Sequence, residues 1–230
     1  MTSKLYELLG ADDRRFSPYC WRARLALAHK KLETEYVPVG FTEKDKIAFS
    51  GQTQVPVLVD GVSTICDSWD IACYLDDTYA DAPTLFGDAV GRATAWFVSC
   101  WNETEVFPPL FQLLAADIHA HARPEDQAYF RESREKRLGQ SLEQCAEQAP
   151  NYLEPFRSSL RPARHVLKHQ AFLCGTSPAY ADYILFGTFQ WARGVSPLAV
   201  IKRNDPLHAW RDRMLDLFDG LGRSVTAYDY

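Results

Sequence analysis

The feature that most constrains this chain is a change in its sequence pattern near residue 80. Upstream of that point, short strand-like and helix-like patterns alternate, and an Asp60-Gly61 turn joins two of the strand patterns into a hairpin. Downstream, from Ala89 onward, the pattern is helical. A helix that connects two successive strands places them parallel, whereas a hairpin is antiparallel. We therefore predict an α/β domain with a mixed four-stranded sheet in the order β-α-β-α-β-β-α, followed by an all-α helical bundle. The predicted strands span residues 4–9, 34–39, 54–60 and 62–65, and the first helices span residues 18–30 and 69–79.

The same change in pattern divides the chain into two domains. We predict a first domain over residues 1–80, a linker over 81–88 that contains Pro and Gly, and a helical domain over 89–230. Within the helical domain, Pro108-Pro109 is expected to break or kink the first long helix, because proline removes a backbone donor and clashes with the preceding turn.

Composition excludes several classes of function. The 230-residue chain has 25 Lys and Arg against 30 Asp and Glu, a formal net charge of −5 that argues against a partner bound through phosphate contacts, such as nucleic acid. There is no run of about 18 apolar residues to cross a membrane and no apolar segment of a secretory signal near the N-terminus. The six cysteines form no Cys-x-x-Cys pair, which is typical of reduced thiols in a cytoplasmic protein.

We expect no metal site. His165 and His169 are four residues apart and share a predicted helix face, but Arg161, Arg164 and Lys168 lie on that face as well. Their charges oppose a bound cation, so a solvated helix face is the better interpretation.

Ser17 lies where the first predicted helix begins, directly before Pro18. The pair is typical of a helix N-cap followed by a first-turn proline, and a purely structural cap is one interpretation. The same geometry favours a second one. A hydroxyl donor beside free backbone N–H groups at the positive end of a helix stabilises an anion, in particular a thiolate.

Two further motifs in the first domain indicate a ligand with peptide and amino-acid ends. Gln54-Val55-Pro56 places a proline at the start of a buried strand, either as a trans proline at the first strand residue or as a cis bond that exposes the backbone of Val55. Asp67-Ser68 precedes the next helix, as a structural N-cap or as a site for a carboxylate at Ser68 and an ammonium group at Asp67.

Taken together, these motifs resemble those of the cytosolic glutathione transferases. Ser17-Pro18-Tyr19 is similar to the start of the first helix in the Ser-type classes, Val55-Pro56 to the cis-proline element, and Asp67-Ser68 to the pair that binds the γ-glutamyl end. Ala179-Tyr180-Ala181-Asp182 is similar to the capping element of the core helix, although Ala179 replaces the usual Ser or Thr. More narrowly, the SPYCWR, VPVLVD and DPLHAW segments resemble bacterial β-aryl etherases and fungal Ser-type transferases.

The resemblance implies a thioredoxin-like first domain, glutathione as co-substrate and an activity that joins glutathione to a small apolar electrophile or cleaves an ether with it. It implies Ser17 as the residue that activates the thiol, a homodimer, and no nucleic acid, membrane or metal partner. The residues implied to bind glutathione are Gln54, Val55, Pro56, Asp67 and Ser68. Aromatic residues expected to line the co-substrate pocket are Tyr19, Trp101, Phe107 and Phe111.

Three alternatives stay open from the sequence. Tyr6, in the first strand, is a rival for thiol activation. Cys20 is the thiol of an SPYC segment that resembles a redox motif with its first cysteine replaced, which favours a glutathione-dependent oxidoreductase; a small buried residue is the competing interpretation. Folds of this type also serve as non-catalytic ligand-binding or interaction modules.

Overall fold

The computed structural model describes residues 2–229, which leaves only Met1 and Tyr230 of the two predicted domains outside it. The four strands of the described chain form one sheet in the order β2-β1-β3-β4. They are β1 (Ser3–Leu8), β2 (Thr34–Val39), β3 (Val57–Asp60) and β4 (Ser63–Cys66). β1 runs parallel to β2 and antiparallel to β3, and β3 and β4 form the hairpin. The predicted mixed sheet is therefore confirmed.

Nine α-helices occur within residues 2–229. They are α1 (Pro18–His29), α2 (Ser68–Thr78), α3 (Ala89–Trp101), α4 (Phe107–Ala120), α5 (Pro124–Leu138), α6 (Leu142–Ser159), α7 (Arg161–Leu167), α8 (Tyr180–Val195) and α9 (Pro206–Gly220). None of the helices in that part of the chain is long and apolar enough to cross a bilayer.

The element between β2 and β3 is a 3₁₀-helical segment, Lys44–Ser50, rather than an α-helix. Ile47 is its single buried residue, so the segment has too little apolar surface to pack as a regular amphipathic helix. It ends at Gly51, whose φ of 71° is a left-handed conformation that glycine adopts without a steric penalty.

The backbone stays helical through Pro108-Pro109, so the expected break at these prolines does not occur. A π-helical segment, Asn102–Val106, joins α3 to α4, and the N–H of Phe107 donates to the carbonyl of Asn102 five residues earlier. The prolines then occupy the first turn of α4, where a missing backbone donor is tolerated. The wider π-helical turn thus accommodates the two prolines without ending the helical backbone.

The helical domain packs directly on the helix that follows the first strand. α8 is buried along its whole length and lies against α1. Gly187 of α8 lies so close to α1 that a Cβ atom there would come within 2.4 Å of the carbonyl oxygen of Pro18. The Tyr180 hydroxyl donates to the carbonyl of Ser68, 2.6 Å away, at the start of α2. One hydrophobic core therefore runs through both domains and fixes the starts of α1 and α2.

Candidate active site

A cavity of about 740 Å³ lies between the sheet domain and the helical domain. Its lining includes nine of the ten site residues predicted from the sequence. They are Ser17, Tyr19, Gln54, Val55, Pro56, Asp67, Ser68, Phe107 and Phe111. The cavity combines an apolar, aromatic wall with a few polar groups, a combination that is typical of small-molecule sites.

Ser17 is the N-cap of α1 and is only 6% exposed. Its Oγ accepts a hydrogen bond of 3.3 Å from the backbone N–H of Cys20. Ser17 is therefore both the structural cap of α1 and a residue of the cavity lining. Since the hydroxyl accepts with its oxygen, its hydrogen is available to donate to a bound anion. The helix end adds partial positive charge at the same place.

The motifs at residues 54–56 and 67–68 meet on the same side of the cavity. The Val55-Pro56 peptide bond is cis, and Pro56 is buried. Asp67 has a φ of 72° and caps α2 by accepting from the N–H of Trp69, 2.7 Å away. Asp67 is exposed, whereas Ser68 is 2% exposed. The site thus offers a carboxylate, a hydroxyl and a helix N-terminus to a ligand.

An aromatic wall faces this polar side. Phe107 stacks on Trp191 with ring centroids 4.6 Å apart, and Phe111 lies 5.9 Å from the same indole. Trp191 was missed from the sequence, because α8 is apolar nearly all round and gives no sign of which residue borders a cavity. Trp101 lies outside the lining, since Trp96, Ser99, Glu103 and Phe107 follow the cavity face at helical spacing and Trp101 falls off that face.

A partly buried polar cluster connects α1 to the π-helical segment at the cavity. Glu103 accepts from the Tyr19 hydroxyl at 2.7 Å and from the Arg22 guanidinium at 2.8 Å. Arg22 also lies 4.7 Å from the centre of the Tyr19 ring. Burial, then the charge of Glu103, raises the pKa of Tyr19, so this phenol stays protonated and donating. Glu103 was not predicted from the sequence, because its position depends on the π-helical turn.

α5 covers the cavity from the helical domain, and we call it the roof helix. Asp126 in its first turn accepts from the backbone N–H of Thr42 at 2.9 Å and from the Thr42 hydroxyl at 2.7 Å. Arg123 donates to the same carboxylate at 2.7 Å. These bonds tie the roof helix to the segment after β2, which also lines the cavity through Phe41.

The two rival residues from the first domain lie elsewhere. Tyr6 is outside the cavity lining and packs on Phe49, with ring centroids 5.2 Å apart. Cys20 is 3% exposed, belongs to the hydrophobic core and is also outside the lining. Burial, reinforced by the charge of Glu7, raises the pKa of the Cys20 thiol to about 12. A thiol that is buried and protonated at neutral pH is a poor nucleophile.

The fold and the cavity define a two-domain protein in which a thioredoxin-like sheet domain and a helical domain enclose a site at the start of the first helix. The model of the glutathione S-transferase N-terminal domain matches residues 16–78, and that of the glutathione S-transferase C-terminal domain matches residues 93–215. The chain therefore belongs to the glutathione S-transferase family.

Individual relatives match in part. Glutathione S-transferase Z2 of Arabidopsis thaliana is 40% identical over 111 residues, which cover 44% of this chain and 50% of the relative. Glutathione S-transferase U22 of the same plant is 31% identical over 97 residues, 40% of this chain and 44% of the relative. The chain thus spans about half the length, or less, of these curated relatives in the matched segments.

Two solved structures share the whole fold. A glutathione S-transferase of Ceriporiopsis subvermispora, in complex with glutathione, has a TM-score of 0.85 and 23% identity, covering 98% of this chain and 99% of its own. Glutathione transferase GSTFuA3 from Phanerochaete chrysosporium has a TM-score of 0.78 and 24% identity, covering 96% and 92%. At this level of identity the likeness establishes the fold.

Proposed function

We propose that this chain is a Ser-type glutathione transferase. Ser17 donates a hydrogen bond to the sulfur of bound glutathione, and the resulting thiolate attacks an electrophilic carbon of an apolar, aromatic co-substrate. The observation that carries the proposal is the position of the Ser17 hydroxyl, at the N-terminus of α1 and in the lining of the cavity between the domains.

The proposed binding mode distributes glutathione over the polar side of the cavity. The backbone of Val55, next to Pro56, pairs with the cysteinyl part, with Gln54 beside it, while Ser68 and Asp67 hold the carboxylate and ammonium groups of the γ-glutamyl end. The complex of the fungal relative with glutathione supports this choice of ligand. No metal takes part in the proposed reaction.

The required stabilisation matches what such a site supplies. The glutathione thiol has a pKa of about 8.5 in water, so only a few per cent is thiolate at pH 7. Lowering that pKa by about 2 units requires about 2.7 kcal/mol. One hydrogen bond to a charged acceptor together with a helix N-terminus is of that size.

The finer parts of the proposal follow the sequence resemblance. The reaction is a conjugation or a β-ether-type cleavage, residues 1–80 bind glutathione, and residues 89–230 form the co-substrate pocket. The rings of Tyr19, Phe107 and Phe111 in the cavity lining support an apolar, aromatic co-substrate. We further infer a cytoplasmic homodimer with no nucleic-acid or membrane partner.

The test is a pH titration of bound glutathione, followed by thiolate absorbance in the ultraviolet, in the wild-type protein, Ser17→Ala and Ser99→Ala. Ser99 is a matched control, because it is also buried in the cavity lining but lies inside α3 rather than at a helix N-terminus. We expect the wild type and Ser99→Ala to lower the thiol pKa and Ser17→Ala to bind glutathione without lowering it. Loss of a 2-unit shift reduces the thiolate fraction at pH 7 about 25-fold, and turnover should fall accordingly.

Two results would contradict the proposal in different ways. An unchanged thiol pKa and turnover in Ser17→Ala would remove Ser17 as the activating residue. Failure of the wild type to bind glutathione would reject the enzyme and favour a non-catalytic module of the same fold.

A further inference from the structure

The roof helix directs two cations into the cavity. Arg134 and Arg137 both belong to the lining. The guanidinium of Arg134 lies 4.9 Å from the ring centre of Phe130 and 5.6 Å from that of Phe41. The guanidinium of Arg137 lies 5.3 Å from the ring centre of Phe111. Both charges are therefore held against the aromatic surface of the site.

Neither arginine has a carboxylate partner among residues 2–229. Arg134 donates to the hydroxyl of its neighbour Ser133, 2.9 Å away. Arg131 on the same helix is outside the lining and forms ion pairs of 2.9 Å with both Glu135 and Glu143. Glu135 of the same helix and Glu143 of α6 thus neutralise the arginine outside the cavity, and the two arginines in the lining are left without a counter-ion.

This arrangement is unfavourable without a ligand. Burial lowers the pKa of Arg134 and the nearby charge of Arg137 lowers it further, while Tyr129 opposes the shift without cancelling it. Arg134 is partly buried, whereas Arg137 is exposed. The two like charges repel each other, and a bound anion relieves this repulsion and the desolvation of Arg134. Lys44, whose Nζ lies 4.6 Å from the centre of the Tyr129 ring, adds a further positive charge to the same lining, in which Arg22 is paired with Glu103.

We propose that the co-substrate of this enzyme is an aromatic electrophile that carries an anionic group, such as a carboxylate, and that Arg134 and Arg137 bind this group. The inference rests on the proposed function, because it names the class of molecule that the glutathione thiolate attacks. The planar guanidinium groups donate in pairs to a carboxylate, while the adjoining rings of Phe107, Phe111 and Trp191 receive the aromatic part.

Glutathione itself is the competing source of a carboxylate, through its glycyl end. The proposed glutathione contacts all lie in the first domain, whereas Arg134 and Arg137 belong to α5 and rest on helical-domain rings. Variants of these arginines therefore separate the two sources, because they should weaken binding of an anionic co-substrate while glutathione affinity stays constant.

The test compares 4-chloro-3-nitrobenzoate with its neutral counterpart 4-chloro-3-nitrobenzamide at saturating glutathione. In both reactions the thiolate forms a C–S bond at the chlorine-bearing carbon, chloride leaves with the electrons of the C–Cl bond, and the thiol proton passes to solvent. The measured quantity is the ratio of kcat/KM for benzoate over benzamide, divided by the ratio of the uncatalysed rates. A second readout, independent of turnover, is the affinity for unreactive 4-nitrobenzoate and 4-nitrobenzamide by calorimetry in the presence of glutathione.

We expect the wild type to prefer the anion at least tenfold in both readouts, since a tenfold ratio corresponds to about 1.4 kcal/mol. Arg134→Gln and Arg137→Gln should each reduce the preference about tenfold and leave the glutathione Kd within twofold. Arg134→Lys should keep most of the preference and shows whether loss of charge, rather than loss of packing, causes the change. Arg131→Gln, which removes a paired arginine from the same helix, should have no effect on the ratio.

Several outcomes would overturn the inference. These are a wild-type ratio near one, a preference that survives both glutamine variants, and a glutathione Kd that rises in parallel with the loss of benzoate binding. If the wild type turns over neither probe, these two aryl chlorides are not its substrates, and the calorimetric preference for 4-nitrobenzoate over 4-nitrobenzamide decides the anion site by itself. The proposed function is decided separately by the thiol titration of the wild type and Ser17→Ala.

Discussion

Replacement of Asp126 by Asn tests whether the roof helix is held in place by a single carboxylate. Asp126 is fully buried, and it receives three hydrogen bonds, two from Thr42 and one from Arg123. Asn has nearly the same shape but retains only one acceptor oxygen. Its amide nitrogen would face either the two donors of Thr42 in the first domain or the guanidinium of Arg123, so a donor would meet a donor in both orientations.

The loss of these contacts sets the expected change in the free energy of unfolding. Removal of one partner from a buried ion pair costs about 3–5 kcal/mol. Arg123 keeps contacts of 3.3 Å to both Glu43 and Glu125 and stays partly exposed, so the lower end of the range applies. We expect the free energy of unfolding to fall by about 3 kcal/mol, which for a chain of this length lowers Tm by about 6–12 °C.

The assay is urea unfolding of the wild type, Asp126→Asn and the matched control Glu125→Gln. Glu125 is the exposed carboxylate of the same helical turn, and its replacement should cost less than about 0.5 kcal/mol. Thr42→Val should lower the free energy of unfolding by clearly less in the Asp126→Asn variant than in the wild type, because Thr42 donates its hydrogen bonds to Asp126. A loss of stability below about 1 kcal/mol for Asp126→Asn, or additive losses in the double variant, would show that Asp126 does not hold the roof helix in place.

The pH dependence gives an independent check on the same carboxylate. Burial pushes the pKa of Asp126 upward, but the hydrogen bonds from Arg123 and Thr42 outweigh it and hold the pKa below its usual range. An acid whose pKa is lower in the folded protein stabilises the fold above its unfolded pKa of about 4 and loses that contribution as pH falls through the folded pKa. The stability difference between the wild type and Asp126→Asn should therefore be constant from pH 5 to 8 and shrink below pH 4.

Three further predictions concern the residues that hold the site together. Gly187→Ala should lower the free energy of unfolding by about 1–3 kcal/mol in urea and reduce glutathione turnover, because the added Cβ would lie 2.4 Å from the carbonyl oxygen of Pro18, next to Ser17. An increase in stability, as expected at an unhindered helix position, would contradict the close packing. Cys20→Ala should keep turnover within twofold, because the thiol is buried and protonated; loss of turnover in a folded variant would revive the oxidoreductase alternative. Asp182→Asn should lower the free energy of unfolding by about 3 kcal/mol, because the buried carboxylate accepts from three backbone N–H groups and from the indole of Trp210; a cost near zero in thermal melts would refute this role.

The fold was predictable because its signals are local. Alternating strand patterns, the Asp60-Gly61 turn and the helix cap at Ser17 each depend on residues within a few positions of one another. The hydrogen bond from the N–H of Ala179 to the Asp182 carboxylate, at 3.2 Å, is local in the same way and belongs to the capping element that the sequence resembles. The π-helical segment was not predicted, since it depends on how α3 and α4 pack rather than on the two prolines alone.

The half of the cavity formed by the helical domain was harder to predict. Ser17, Pro56 and Asp67 were singled out because each stands at the end of an element, where turn and cap chemistry leaves a recognisable motif. Trp191 and Glu103 lie inside helices, where only tertiary packing decides which side chain borders a cavity. The roof helix did carry a signal, because Tyr129 and Phe130 are followed at helical spacing by arginines that face the same way.

The two halves of the cavity are formed by different elements, so the proposed function predicts that thiol activation and choice of electrophile can be changed separately. In the proposed mechanism, activation of the thiol depends on Ser17 and the start of α1, which the core that runs through both domains holds in place. In the same proposal, selection of the electrophile depends on the roof helix, which is tied to the first domain through Asp126 and contributes cations and rings to the cavity lining. A change in the roof helix should therefore alter the KM and the preference among electrophiles while the pKa of bound glutathione stays constant. A change at Ser17 should do the opposite, so a variant of the roof helix that shifts the thiol pKa would show that the two halves are coupled.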